Sequence, residues 1–298
     1  MERRLQYPVT EEVFGKTVGE VLRKSLFLTK KQVSRAKFLP GGITLNGIQV
    51  RVSHKFTQPG MLEVLLEPDS YCSAQLLPSE GNLEILYEDE DVMVVNKPSG
   101  MVCHPSHGHY ADTLANFAAG YCQSHGEGSV IRIVGRLDKD TSGAVVFAKN
   151  RIAAQRLAIQ RTGGIFQKTY LAFAEGILEE KQGEITLPIR KCPGSLMKMQ
   201  THPEGAKACT GYRVIEEGGN TSVILCKLKT GRTHQIRVHM AGIGHPILGD
   251  SLYGNPESAP RLGLHAWKVE FMQPFTGVQV AVIADTDMCG LHQKEEKK

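Results

Sequence analysis

The sequence predicts an α+β protein, with a large domain built on a mixed or antiparallel sheet flanked by helices and a small αα-ββ module before it. Three observations predict this. From Leu83 onward, short apolar runs that read as strands are separated by Gly and Pro turns. Helical periodicity is rarer, and strands and helices do not alternate as they do in β-α-β folds. No segment repeats at a fixed period. The length of 298 residues fits one large domain or two unequal ones.

The elements follow in order. Residues 17–28 place Val18, Val21 and Leu22 at helical spacing. Thr29 stands where it can cap a second helix, Lys30 to Phe38, which Pro40-Gly41 ends. Ile43 to Leu45 and Ile48 to Val52 flank Asn46-Gly47, a strong hairpin signal, and Met61 to Leu66 reads as a further strand. The module is therefore expected over 1–70, with its core at about 15–67, and 71–82 reads as a linker. The large domain is expected over 83–290. Its strands are read at 83–87, 92–96, 143–148, 169–175, 208–216 and 222–229, and its helices at 113–119, 152–160 and 233–240. Residues 291–298 are charged and expected to form a disordered tail.

Composition narrows the function classes. A hydrophobic fraction of 41% and a charged fraction of 22% are those of an ordinary soluble protein. No apolar run approaches the roughly 20 residues that span a bilayer, so no membrane partner is expected. The start lacks a secretory apolar core, and Glu11 and Glu12 argue against a transit peptide, so a cytoplasmic location is expected. Seven scattered cysteines without a C-x-x-C pair fit reduced thiols. His104, His107 and His109 are close together, but no acid or cysteine stands at ligand spacing, so no metal is expected. No phosphate-loop or dinucleotide glycine motif occurs. The net charge of +4 is unevenly placed: residues 1–70 hold 11 Lys and Arg against 7 Asp and Glu, while the rest balances. Between Arg23 and Lys37 stand six basic residues and no acid. That run is either a solvated helical face or a surface for phosphates.

Two stretches carry the chemistry. Gly135 to Lys149 reads G-R-L-D-K-D-T-S-G-A-V-V-F-A-K, which places Asp138 near Arg136 at the edge of a buried strand. A carboxylate held there can act as a nucleophile without a cofactor, although Asp138 or Asp140 could simply cap the turn. Leu228 to His239 reads as a strand end, a Gly turn and a helix start near Thr233. Ile236 and Met240 would face the core, and Arg232, His234, Arg237 and His239 form a polar helix face or part of a site. Tyr170 opens a strand, where a tyrosine usually packs.

The first stretch closely resembles the active-site motif R-L-D-x-x-T-S-G of the RluA-type RNA pseudouridine synthases. The 228–239 string, Lys168-Thr169-Tyr170, Asn96 to Gly100 with His104-Pro105, and Gly249 to Gly254 are similar to further motifs of that family. The N-terminal elements resemble the small RNA-binding module shared with the fourth protein of the small ribosomal subunit. The resemblance implies a pseudouridine synthase fold and isomerisation of uridine within RNA, with no cofactor and no metal. It implies that Asp138 is the catalytic residue and Asp140 a bystander. It implies that Arg237 pairs with Asp138 and holds it ionised, and that Tyr170 stacks on the target base. Arg136 would take part in base flipping, and Arg232 and His234 would contact RNA. In the module, Lys30, Lys31, Arg35, Lys37 and the 42–46 turn would contact RNA. Lys97-Pro98 would support the site floor, and 249–254 would be structural. Gly135 stands where the family often has His, which bears on subfamily. Large-subunit ribosomal RNA is the favoured substrate, transfer RNA the second, and a monomer is expected. A non-catalytic RNA-binding or ribosome-assembly factor is a competing reading, although Asp138, Tyr170 and Arg237 are all present. An aspartate glycosidase needs two carboxylates flanking one bond, and the turn offers only Asp138 and Asp140, two residues apart.

Overall fold

Two capping boxes start the helices of the N-terminal unit. In the computed structural model, which describes residues 3–66, 76–126 and 131–286, Thr17 accepts the Glu20 N–H while the Glu20 carboxylate accepts the Thr17 N–H. This reciprocal pair satisfies two otherwise orphaned donors and starts α1 (Val18–Lys24). Thr29 and Gln32 repeat it ahead of α2 (Lys30–Ala36). Val18, Val21 and Leu22 are fully buried, as their spacing demands.

The unit's sheet contains β1 (Arg3–Val9), β2 (Ile43–Leu45), β3 (Ile48–Gln49) and β4 (Gly60–Leu66), in the order β1-β4-β2-β3. All its ladders are antiparallel. Asn46 (φ 50°) and Gly47 (φ 80°) both adopt left-handed backbone, the twist that a two-residue hairpin turn requires. Asn46 Oδ1 also accepts the Met61 N–H at 2.7 Å, which ties the turn to β4. Strand β1 was not anticipated, because Gln6 and Pro8 interrupt its apolar pattern. The second helix ends at Ala36, two residues before the expected Phe38. Residues 71–75 of the expected linker, and the tail at 291–298, lie outside the described residues.

The chain divides into two units, residues 1–74 and 75–298. The larger one begins with β5 (Glu84–Glu88), β6 (Val92–Lys97), α3 (Leu114–Ser124), β7 (Arg132–Val134) and β8 (Ser142–Ala148). Next come α4 (Arg151–Thr162), β9 (Gln167–Glu175), β10 (Gln182–Ile185) and the hairpin of β11 (Ile189–Lys191) and β12 (Met199–Thr201). Then follow β13 (Thr210–Gly218), β14 (Thr221–Leu228), α5 (Gln235–Gly242), β15 (Leu264–Met272) and β16 (Gln279–Ile283). Ten strands form one mixed sheet along the path β10-β13-β14-β9-β15-β8-β6-β5, with β16 on β15 and β7 on β8. Among the described residues only β8 and β15 pair in parallel.

The six strands and three helices expected from sequence all form, with shifted ends. The central strand β15 was missed. A register shift between His265 and Lys268 breaks its alternation, so no period-2 signal marks it. Strand β8 is buried along its whole length because both faces of the sheet are covered. Val145 and Phe147 belong to one core cluster with Leu114 and Ala118 of α3 and Ile236 and Met240 of α5. Ala144, Val146 and Ala148 pack on the other face with Ala153 and Leu157 of α4. Burying each Val or Phe contributes roughly 1.5–3 kcal/mol.

Gly143 marks a close backbone approach in this core. Its φ is 109°, and a Cβ there would lie 2.4 Å from the Ala266 carbonyl oxygen on β15. No L side chain fits that geometry without parting the parallel pair. Gly143→Ala is expected to lower stability by about 3 kcal/mol or more, from backbone strain plus overlap, as read by urea denaturation. A midpoint unchanged from wild type would contradict this packing.

Candidate active site

The loop between β7 and β8 carries Asp138, and its backbone is held from outside. Three side chains from the end of β6 and the segment after it donate to its carbonyls. Cys103 Sγ donates to Leu137 O at 3.3 Å, Lys97 Nζ to Lys139 O at 2.8 Å, and Ser99 Oγ to Asp140 O at 2.7 Å. Lys97 is fully buried, and its other two protons go to the carbonyls of Pro98 and Met101, each at 2.8 Å. Lys168, at the start of β9, ties the start of the loop to β8 through Gly135 O (3.0 Å) and Ala144 O (2.8 Å). Burial pulls both ammonium groups down from 10.5 to about 8; around Lys97 the charges of Cys103, Asp140 and Asp138 oppose that fall.

The Asp138 side chain itself is half-buried and makes no hydrogen bond or ion pair among the described residues. It stands on the wall of a cleft of about 1890 Å³. Tyr170 lines the same cleft from β9, with only 8% of its surface exposed. Burial and then the Asp138 charge push the Tyr170 phenol pKa up, so its hydroxyl stays protonated at neutral pH. The exposed cations Arg136, Lys139, Arg161, Arg213, Lys227 and Arg232 also line the cleft. Arg232 donates its Nε–H to Lys207 O at 3.1 Å. Apart from Asp138 the lining includes one acid, Glu184, which is paired with Lys229.

The start of α5 closes the site. Arg237, in its first turn, is 3% exposed, and His234 stands just before the helix. Arg237 donates from Nε and Nη2 to the two carboxylate oxygens of Asp250, both at 2.7 Å. Asp250 is fully buried and also accepts the N–H groups of Leu252 (2.9 Å) and Tyr253 (3.1 Å). Burial works against the Arg237 charge, but the Asp250 hydrogen bonds and charge, with Asp138 behind them, raise its pKa further. A carboxylate and an aromatic face inside a cation-rimmed cleft suit chemistry on one nucleobase of a polyanion. Residues 91–242, slightly more than half of the chain, match the family model described as RNA pseudouridylate synthase.

The chain belongs to the RNA pseudouridylate synthase family. It is 35% identical over 282 residues to the uncharacterized RNA pseudouridine synthase YhcT of Bacillus subtilis, covering 92% of this chain and 91% of that one. It is 41% identical over 219 residues to the ribosomal large subunit pseudouridine synthase D of Zymomonas mobilis, covering 68% of this chain and 69% of that one. Among solved structures, human RNA pseudouridylate synthase domain containing 1 aligns with a TM-score of 0.57 at 28% identity, over 70% of this chain and 84% of that one. The protein is an RluA-type RNA pseudouridine synthase, an isomerase that acts on RNA.

The synthase brings Asp138, Tyr170, Arg136, Arg232, His234 and Arg237 to one cleft. One expected pairing is corrected. Arg237 is bound to Asp250 and reaches Asp138 only through its charge. Asp250 belongs to a string expected to be merely structural; it was missed as a partner because nothing in a 13-residue separation announces an ion pair. His239 is also no part of a polar face. It is fully buried, bonded to Thr210 Oγ1 (2.9 Å) and Leu187 O (2.8 Å). Asp140 is absent from the cleft lining. Sequence reasoning also missed Lys168 as a loop clamp and Arg161, Arg213 and Lys227 on the wall. Isolated cations of this kind carry no pattern. His104 reaches the cleft, whereas His109 bonds Asp112 at 2.6 Å. Lys30, Lys31, Arg35 and Lys37 lie in the other unit, all exposed along or just after α2.

The two lysine clamps make a pH prediction. Between about 8 and 10.5 the unfolded chain keeps protons that the folded synthase has released. The penalty for folding around these charges is full below pH 8 and disappears by pH 10.5, so their contribution to stability rises through that window. A neutral Lys97 has only two N–H groups for three carbonyls, so the loop loosens as the protein gains stability. Lys97→Met should lose about 3 kcal/mol at pH 7, from the carbonyls left unbonded. The stability gap to wild type should widen from about pH 8 to about pH 10 in urea titrations, while wild-type pseudouridine formation falls. A narrowing gap would mean that folding favours the charged amine.

Proposed function

We propose that this synthase isomerises uridines of large-subunit ribosomal RNA, with Asp138 as the catalytic carboxylate acting on a nucleotide swung out of its stack. The observation that carries this reading is the contrast between Asp138 and the loop around it. The flanking backbone is held by four donor side chains, and the carboxylate is left uncommitted on the cleft wall. The uracil is detached from its sugar at nitrogen, turned, and rejoined through carbon-5, so the reaction has no net redox change.

Each residue has a physical role in this reading. Unstacking the target costs a few kcal/mol before any group can reach it. Arg136, exposed and two residues from Asp138, fills the vacated space or holds the phosphate. Tyr170, kept as a neutral phenol, offers a flat face to the base, and such stacking is worth about 1–3 kcal/mol. Arg237, anchored by Asp250, supplies a fixed positive field toward Asp138. A glycosidase reading gains no support, since Asp140 is off the cleft and Glu184 is paired with Lys229.

The ribosomal assignment is supported by the relatives in Zymomonas mobilis and Nitrosomonas europaea, whose names specify the large ribosomal subunit. The exposed cations of α2 also support it, with Lys37 lying 4.6 Å over the ring of the exposed Phe38. A ribosomal substrate, with Cys103, Cys192, Cys209 and Cys226 as thiols, supports a cytoplasmic place of work.

Asp138→Asn is expected to fold with unchanged stability and to make no pseudouridine, as read by pseudouridine-specific reverse-transcription mapping of cellular RNA from strains carrying each form. Full activity of that variant would defeat the assignment, and loss of modification only in transfer RNA would overturn the ribosomal target. Replacing Lys30, Lys31, Arg35 and Lys37 by Ser should weaken RNA binding and flatten its salt dependence, by about one unit of slope for each phosphate left without its cation. An unaltered slope would remove these side chains from the RNA footprint.

A further inference from the structure

His234 stands on the cleft wall in a backbone conformation uncommon outside glycine. Its φ is 54° and ψ 24°, in the left-handed region. It occupies the N-cap of α5, yet its side chain caps nothing. Capping therefore does not explain the residue, and strain of this kind persists where its surroundings over-determine it. The next residue supplies part of that constraint. The Gln235 Oε1 accepts the Arg232 N–H (3.0 Å) and the Thr230 hydroxyl (2.8 Å), which locks the approach to the helix.

Tyr253 supplies the rest. Its hydroxyl oxygen accepts the Met199 N–H at 2.8 Å and lies 2.9 Å from His234 Nδ1. The two rings meet edge-on at 5.7 Å. The phenolic O–H finds no acceptor among the described residues other than Nδ1, so it donates to that nitrogen. Nδ1 then accepts, and the ring proton sits on Nε2. Nε2 has no partner among the described residues, and the ring lines the same cleft as Asp138 and Tyr170. Burial is the largest influence on this imidazole and holds its pKa below the usual value. Asp138, Asp250 and Asp140 favour its charge, and Arg237 opposes it.

We propose that His234 is a specificity-determining residue whose Nε2–H, oriented by Tyr253, donates to a carbonyl oxygen of the swung-out uracil. The proposal rests on reading this cleft as the site of uridine isomerisation. The rim already holds exposed arginines and lysines for phosphates, so a locked, uncharged donor matches a neutral acceptor. Uracil presents carbonyl oxygens at positions 2 and 4, whereas cytosine carries an amino group at position 4. A donor aimed at oxygen 4 would meet another donor in cytosine, and a site built to bond one group rejects the analogue that lacks it. Met199 ties the lock to the β11–β12 hairpin, which places the orienting group on a rigid element.

The test uses transcripts of the mapped target stem-loop carrying uridine, 2-thiouridine or 4-thiouridine at the target, since sulfur is a poor acceptor. Wild-type turnover of the uridine transcript tests the isomerase reading separately. For His234, wild-type kcat/KM should fall about tenfold on one thio transcript, the size of one lost hydrogen bond. His234→Leu should lose a similar factor on the uridine transcript and nothing further on that thio transcript. His234→Gln, which can return an amide N–H, should recover part of the loss. Tyr253→Phe removes the donor to Nδ1 and should move the acid limb of the kcat/KM profile to higher pH. Wild-type indifference to both thio substitutions, or a full additional thio loss in His234→Leu, overturns the carbonyl contact. An acid limb unmoved in Tyr253→Phe overturns the tyrosine lock.

Discussion

The site depends on backbone carbonyls that water does not satisfy and side chains do. The loop carrying Asp138 runs along the edge of the buried sheet, where unbonded peptide groups would be costly. Lys97, Ser99, Cys103 and Lys168 supply the missing donors, and they touch the residues on either side of Asp138. Lysine suits this work because its ammonium has three donors on one atom and no acceptor. The same arrangement leaves the carboxylate oxygens uncommitted. Had the side chain itself anchored the loop, as turn aspartates often do, its lone pairs would already be engaged.

Charge is sorted by depth. Deep in the site, Arg237 is neutralised by Asp250 in a bidentate pair that also gathers the Leu252 and Tyr253 amides. A buried arginine without such a partner would be strongly destabilising. Around Asp138 the nearer aromatic groups, Tyr170 and His234, are pushed toward their uncharged forms by burial. Exposed cations occupy the rim, where water screens them and a phosphate backbone can replace the counterions. A neutral base and a charged backbone therefore meet surfaces of matching character.

The sheet makes this convergence possible. Strand β8 lies between β6 and β15, and its parallel contact with β15 requires the bare backbone of Gly143. That contact sets the mouth of the β7–β8 loop. Strand β9 then delivers Lys168 and Tyr170 from the other side of β15, and the start of α5 delivers His234 and Arg237. Segments far apart in the chain thus share one wall.

Some of this was legible in the residues alone. Asn46-Gly47, the Thr29 cap, the spacing of Val18, Val21 and Leu22, and the all-apolar run of β8 follow from rules acting over a few residues. The candidate catalytic stretch was legible for the same reason: an R-L-D string before a Thr-Ser-Gly turn is local, and so is the K-x-Y at the start of β9. Tertiary structure alone decided which groups meet. It gave Arg237 to Asp250, withdrew His239 into the core, turned Lys168 onto the loop carbonyls, and placed the irregular β15 at the centre of the sheet. Turn and cap chemistry is written in neighbouring residues, whereas partner choice among buried charges is set by which chain segments the closed core brings within about 3 Å.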